Sequence, residues 1–231
     1  MTSAKAVPER VVFLLDVDNT LLDNDRIVAD MKDALNRDFG AEKALRYWTI
    51  FEEYRRELGY ADYLGSLQRF RLEDPHDDNL LAISSMLVNY PFQDRLFPGA
   101  LEVVQYLSKW GTPVILTDGD VVFQPLKIER SGLGAAFDGR VLLYVHKEEE
   151  LAEVERRFPA DKYILIDDKV RILSAVKAVW GARVTTVFPR QGHYATEPDV
   201  AKYPKPDFSI DHIADLLAYD PPPGVAGAKT A

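Results

Sequence analysis

Short apolar runs that stop abruptly at charged or hydroxyl side chains constrain this chain more than any other feature. They occur at Val11–Leu15, Val114–Thr117, Val141–Val145, Tyr163–Ile166 and Val184–Phe188, with a weaker one at Phe208–Ile210. Runs of four or five residues suit strands covered on both faces, as in a parallel sheet. Amphipathic stretches separate most of them. Ala100–Trp110 sets Leu101, Val104 and Leu107 on one face with Gly111 as its stop, and Val170–Trp180 repeats the design with Ile172, Val176, Val179 and Gly181. This alternation predicts an α/β fold whose parallel strands are joined by helical crossovers.

One interval breaks the rhythm. From Asp23 to Asp94 the sequence has helical patterns and no strand, including Ile27–Phe39 before Gly40 and Ala41–Leu58 before Gly59. It reads as an all-helical subdomain, residues 23–94, inserted after the first strand. The core would then be residues 1–22 plus 95–220, with a cleft where the insertion overhangs the sheet. Residues 221–231, rich in Pro, Ala and Gly, read as a loose tail.

The 231 residues are 47% hydrophobic and 28% charged, enough for a substantial core. A net charge of −9 argues against a general polyanion-binding surface, so nucleic acid is not an expected partner. With no cysteine, disulfides, thiolate metal sites and a cysteine nucleophile are excluded. Met1–Arg10 is polar and the first apolar run is too short for a signal-peptide core or a membrane span, so the expectation is a cytoplasmic protein. Either a monomer or a homodimer fits the pattern.

In an open parallel sheet ligands bind at the carboxyl ends of the strands. Those ends carry Asp16-Val17-Asp18-Asn19-Thr20, Thr117-Asp118-Gly119-Asp120, His146-Lys147 and Asp167-Asp168-Lys169. Two aspartates spaced by one residue can place one carboxylate on a phosphorus atom and the next beside its leaving group. Thr117 and the nearby amides of Asp118 and Gly119 can donate to a phosphoryl group, aided by the N-terminus of a helix expected over Val121–Ser131. Lys147 is the first choice for the neutralising lysine. Lys127, read as structural inside its helix, and Lys169, beside the acidic pair, are its rivals. Adjacent Asp167 and Asp168 at a buried strand end repel unless a cation compensates them, and Mg²⁺ suits an all-oxygen site.

In order and spacing these motifs resemble those of the haloacid dehalogenase-like superfamily: DxDxT, then Ser/Thr, then Lys, then an acidic pair. The match spans the chain and includes the position of a C1-type helical cap. The resemblance implies a Rossmann-like core and an aspartyl-phosphate mechanism with Asp16 as nucleophile and Asp18 as general acid, then general base. It implies Mg²⁺ held by the Asp16 side chain, the Asp18 backbone carbonyl and Asp168, with Asp167 binding directly or through water. Two departures stand out: proline often follows the family's lysine, where Glu148 stands here, and the acid that members with a glycine-aspartate version often carry about four residues on is replaced by Ile172, which leaves that work to the doublet.

The reading is therefore a phosphatase acting on a small phosphorylated metabolite. A phosphomutase would use the same aspartates, and a carbon–halogen hydrolase would have little need of Asp18. A non-catalytic, partner-binding relative is the alternative outside enzymes. In the helical insertion Tyr47, Trp48, Tyr54, Arg55, Arg56, Tyr60, Tyr63 and Arg69 could face substrate, although helical aromatics more often fill a core. Gln191-Gly192-His193-Tyr194 could rim the site.

Overall fold

The computed structural model describes residues 9–226. Six parallel strands, β1 (Val11–Leu15), β2 (Thr112–Asp118), β3 (Val141–Tyr144), β4 (Lys162–Ile166), β5 (Val184–Pro189) and β6 (Phe208–Ile210), form one sheet in the order β3-β2-β1-β4-β5-β6. The α/β expectation is met, and the order is that of a doubly wound, Rossmann-like sheet.

Strand β1 shows why the sheet lies in the middle of the molecule. Its side chains alternate between two cores, as a period of two requires. Val11, Phe13 and Leu15 join the cluster that contains Val103, Val104 and Leu107. Val12 and Leu14 join the one containing Leu151, Val154, Leu173 and Val176. The first cluster packs under α5 (Ala100–Leu107), the second under α8 (Leu151–Arg157) and α9 (Val170–Trp180). In α9 the buried stripe runs through Val170, Leu173, Val176 and Trp180. Val179, expected on that face, falls at its margin and is 68% exposed.

Between β1 and β2 the chain forms α1 (Asn24–Phe39), α2 (Ala41–Leu58), α3 (Tyr63–Glu73) and α4 (Leu80–Val88). Helix α1 starts where the Asp23 carboxylate accepts the Arg26 amide at 2.9 Å and buries Ile27, Met31, Ala34 and Leu35 on one face. Asp62 caps α3 in the same manner. The two connections to the sheet run side by side: the Asp23 amide donates to Arg95 O at 2.7 Å and the Phe97 amide to Leu21 O at 2.9 Å. This paired linker roots the helical unit beyond the carboxyl end of β1. Helices α6 (Phe123–Arg130) and α7 (Leu133–Ala136) follow β2. No helix of the described residues is long and apolar enough to cross a membrane.

The loose-tail expectation for 221–231 fails over its described part. Pro222 and Pro223 are buried, and Val225 packs against the larger core cluster. Residues 227–231 lie outside the described residues. Gly224 has φ +85°, and a Cβ there would sit 2.7 Å from the Thr185 Cβ. Composition suggested looseness because proline and glycine order a segment only when something lies beneath it, here β5. Gly224→Ala is therefore expected to destabilise by about 1–3 kcal/mol in urea unfolding. A free tail would tolerate the change, so an unaltered midpoint would contradict the packing described.

Candidate active site

Sheet order places the site. The chain leaves β1 toward β2 on one side, and β4 and β5 lie on the other, so the crevice opens at the carboxyl ends of β1 and β4. The Asp16 amide donates to Ile166 O at 3.0 Å, tying the two strand ends together. The next residues turn sharply: Val17 O accepts the amides of Leu21 and Leu22, each at 2.9 Å, and Asn19 takes a left-handed φ of +58° that asparagine tolerates. Thr20 Oγ1 accepts the Asp168 amide at 3.1 Å, so the hydroxyl of DxDxT fastens the first motif to the last. Gln191 steadies the same turn by donating to Thr20 O at 3.1 Å.

At the centre lies Lys147, fully buried just after β3. Its ammonium is 2.5 Å from Asp16 Oδ1 and 2.7 Å from Asp167 Oδ2, and it donates to Leu116 O at 3.2 Å. Burial opposes its charge, but Asp16, Asp167 and Asp118 outweigh burial and raise its pKa. The Asp118 carboxylate anchors the loop, accepting the Lys147 amide at 2.8 Å. The structure thus places Lys147 against Asp16 and Asp167, although glutamates follow it in the sequence.

Asp16, Asp167 and Asp168 are all buried, and each offers an oxygen within 4.8 Å of the others. Asp16 Oδ2, Asp167 Oδ2 and both oxygens of Asp168 have no hydrogen-bond partner. Asp167 Oδ2 is close to the lysine nitrogen without the angle of a hydrogen bond. Burial, reinforced by Asp16 and Asp167, holds the Asp168 carboxyl well above its ordinary range. Orphaned buried oxygens on three carboxylates, which Lys147 in contact and Lys169 nearby offset only in part, fit a hard divalent cation, and an all-oxygen donor set disfavours zinc. The Asp18 carboxylate is not part of this triad; only its backbone carbonyl was expected to serve a metal.

On the β2 side the structure keeps Thr117 at the strand end but engages backbone amides that were expected to face an anion. Thr117 is buried beside the cleft, and its Oγ1 accepts from Gln124 Nε2 at 3.0 Å. The Gly119 amide, expected to serve phosphate, instead donates to Tyr144 O at 3.1 Å. The first amides of α6 are also taken, because Asp120 Oδ1 accepts from Val122 at 2.8 Å and Phe123 at 2.6 Å. That helix end is capped from within the chain rather than left open to an anion. Lys127 does more than fill its helix: it is 1% exposed, and its ammonium meets the two Asp18 oxygens at 2.7 and 2.9 Å. The spacing Gln124–Lys127, three residues apart on one helix face directly after the second motif, was the available signal.

The helical insertion roofs the cleft. Tyr47 is core, its hydroxyl donating to Tyr63 O at 2.9 Å. Tyr63 is buried against Phe51 and Phe123, and Tyr54 stacks under Arg69. Of the basic residues singled out there, Arg55 reaches the core, donating to Tyr194 OH at 3.1 Å. Lys169 places its ammonium 5.0 Å from the Tyr194 ring and makes no ion pair among the described residues. His193 holds Asp25 at the start of α1, with Nδ1 2.6 Å from Oδ1.

The family model for haloacid dehalogenase-like hydrolases matches residues 11–179, which contain all four motifs. A haloacid dehalogenase-like hydrolase from Burkholderia xenovorans LB400 is 55% identical over 91% of this chain and 96% of its own, with a TM-score of 0.86. Two more distant structures share the fold. An L-2-haloacid dehalogenase from Xanthobacter autotrophicus with chloropropionic acid covalently bound is 17% identical over 90% of this chain and 96% of its own, with a TM-score of 0.59. A magnesium-bound HAD hydrolase from Bacillus subtilis is 18% identical over 91% and 98%, with a TM-score of 0.60. No curated protein sequence matches. The chain belongs to the haloacid dehalogenase-like hydrolases.

If the carboxylate cluster awaits a cation, Asp168→Asn relieves repulsion in the metal-free protein. The variant is expected to melt higher than the wild type in EDTA and to lose the rise in Tm that Mg²⁺ gives the wild type. A lower melting point in EDTA would mean that the carboxylate is stabilised by the protein itself.

Proposed function

We propose that this hydrolase is a Mg²⁺-dependent phosphatase that cleaves a small phosphate monoester through an aspartyl-phosphate on Asp16. The observation that carries the reading is the second carboxylate, Asp18. An alkoxide leaving group needs a proton, whereas a departing halide does not, so a dehalogenase has little use for an acid at this position.

An oxygen of Asp16 attacks phosphorus as the bond to the leaving oxygen breaks, and the Asp18 carboxyl gives its proton to that oxygen. Asp18, now a carboxylate, takes a proton from water. The resulting hydroxide attacks phosphorus, the bond to Asp16 breaks, and inorganic phosphate leaves with the nucleophile restored. Lys147 orients Asp16 through Oδ1 and offsets charge at the phosphoryl group, and Thr117, which accepts from Gln124 and donates to Asp118 O at 3.3 Å, would turn that proton to a phosphoryl oxygen. Asp16, Asp167 and Asp168 would hold the metal, which when bound supplies positive charge against the phosphoryl oxygens. The cover of α2 and α3 over the cleft favours a small organic phosphate as substrate.

Hydrolysis of p-nitrophenyl phosphate is expected to require Mg²⁺ and to fall by at least about 10³-fold in Asp16→Asn, which removes the nucleophile with little change of shape. Activity retained in that variant would overturn the nucleophile assignment. Chloride release from 2-chloropropionate in place of phosphate release would support the dehalogenase alternative. A magnesium-induced rise in Tm with neither activity would favour the non-catalytic one.

A further inference from the structure

We propose that Lys127 is a positioning residue for the acid/base step, fixing the Asp18 carboxylate between the phosphate-side hydroxyl and the first residue of the helical roof. The inference rests on the phosphatase reading and deepens it. An ammonium has three donors, and the geometry accounts for all of them. Lys127 Nζ donates to Asp18 Oδ1 at 2.7 Å, to Asp18 Oδ2 at 2.9 Å and to Asn24 Oδ1 at 3.1 Å. Asn24 is the first residue of α1, next to the paired linkers, so one buried cation joins the acid to the root of the roof.

Exposure points the same way. The Lys127 side chain is 2% exposed and that of Asp18 is 28% exposed. The carboxylate is therefore gripped from inside the protein and remains open toward the cleft. Gln124, one turn earlier on α6, donates to Thr117 Oγ1 at 3.0 Å and reaches Asp18 Oδ2 at 3.5 Å. The same helix face thus sets the relative placement of the acid and the hydroxyl that would meet the phosphoryl group. Burying an ammonium is costly without a partner, and an apolar side chain would fill this core position at lower cost. The carboxylate it meets accounts for a lysine here.

A positioning role predicts selectivity by leaving group. Nitrophenolate departs without a proton, whereas the alkoxide from benzyl phosphate needs one, and the two esters are similar in size. Because kcat/KM reports the steps up to P–O cleavage, it separates the acid step from later hydrolysis of the aspartyl-phosphate. Lys127→Met, close in length and apolar, is expected to lower kcat/KM for benzyl phosphate roughly tenfold more than for p-nitrophenyl phosphate. Lys127→Gln, which keeps a donor but no charge, should lie between the two and serves as the test if the Met variant fails to fold. Equal losses on both esters would overturn the proposal and leave Lys127 a structural residue. Wild-type protein inactive on both esters would instead refute the phosphatase reading. Positioning would then be judged from crystal structures of wild type and Lys127→Met: a displaced Asp18 carboxylate supports it, and an unmoved one overturns it.

Discussion

The constraint on which the site depends is electrostatic: three buried carboxylates, Asp16, Asp167 and Asp168, converge where one buried ammonium, Lys147, can reach two of them. Unbalanced charge in a protein interior is unstable unless paired, protonated or bound to metal. The fold tolerates the cluster because the backbone is tied on every side of it. Strand ends β1 and β4 are joined by the Asp16 amide, the first and last motifs by Thr20, and the Lys147 loop to β2 by Asp118. These bonds keep the acids from moving apart, and they create a demand for a cation that neutral side chains would not.

A second cation, Lys127, acts at a separate carboxylate. Lys147 belongs to the cluster around Asp16, and Lys127 to Asp18, two residues further along the same turn. Alternation along DxDxT thus divides one short segment between two electrostatic partners on different elements, β3's outgoing loop and α6. The helical insertion enters through Asn24 on one of these partners and through Arg55 and Tyr194 on the cleft rim. The first residue of the roof is therefore joined to the Asp18 carboxylate through Lys127.

The family relation establishes a hydrolase of this fold. Distant structures with the same architecture include a dehalogenase with a covalently bound chloropropionic acid and a magnesium-bound hydrolase. Architecture alone does not choose between such chemistries, because specificity resides in side chains mounted on a common frame. In this chain the choice turns on Asp18 and what surrounds it.

The sequence by itself determined the strands, the helical insertion and the four strand-end motifs. Apolar run length and periodicity are local properties, and a strand end followed by DxDxT or by paired aspartates is legible without coordinates. Lys147 was also readable, since its place after the third apolar run outweighed the unusual glutamates behind it. Tertiary structure alone decided what each polar group spends its hydrogen bonds on. Gly119 and the start of α6 looked available to an anion but are satisfied by Tyr144 and Asp120. Lys127 looked structural until the turn after β1 was brought beside α6, more than a hundred residues away in sequence. The segment after Asp220 looked loose until β5 lay beneath Gly224. In each case the deciding partner is distant along the chain, and periodicity, a property of neighbours, carries no information about which distant atom a donor will meet.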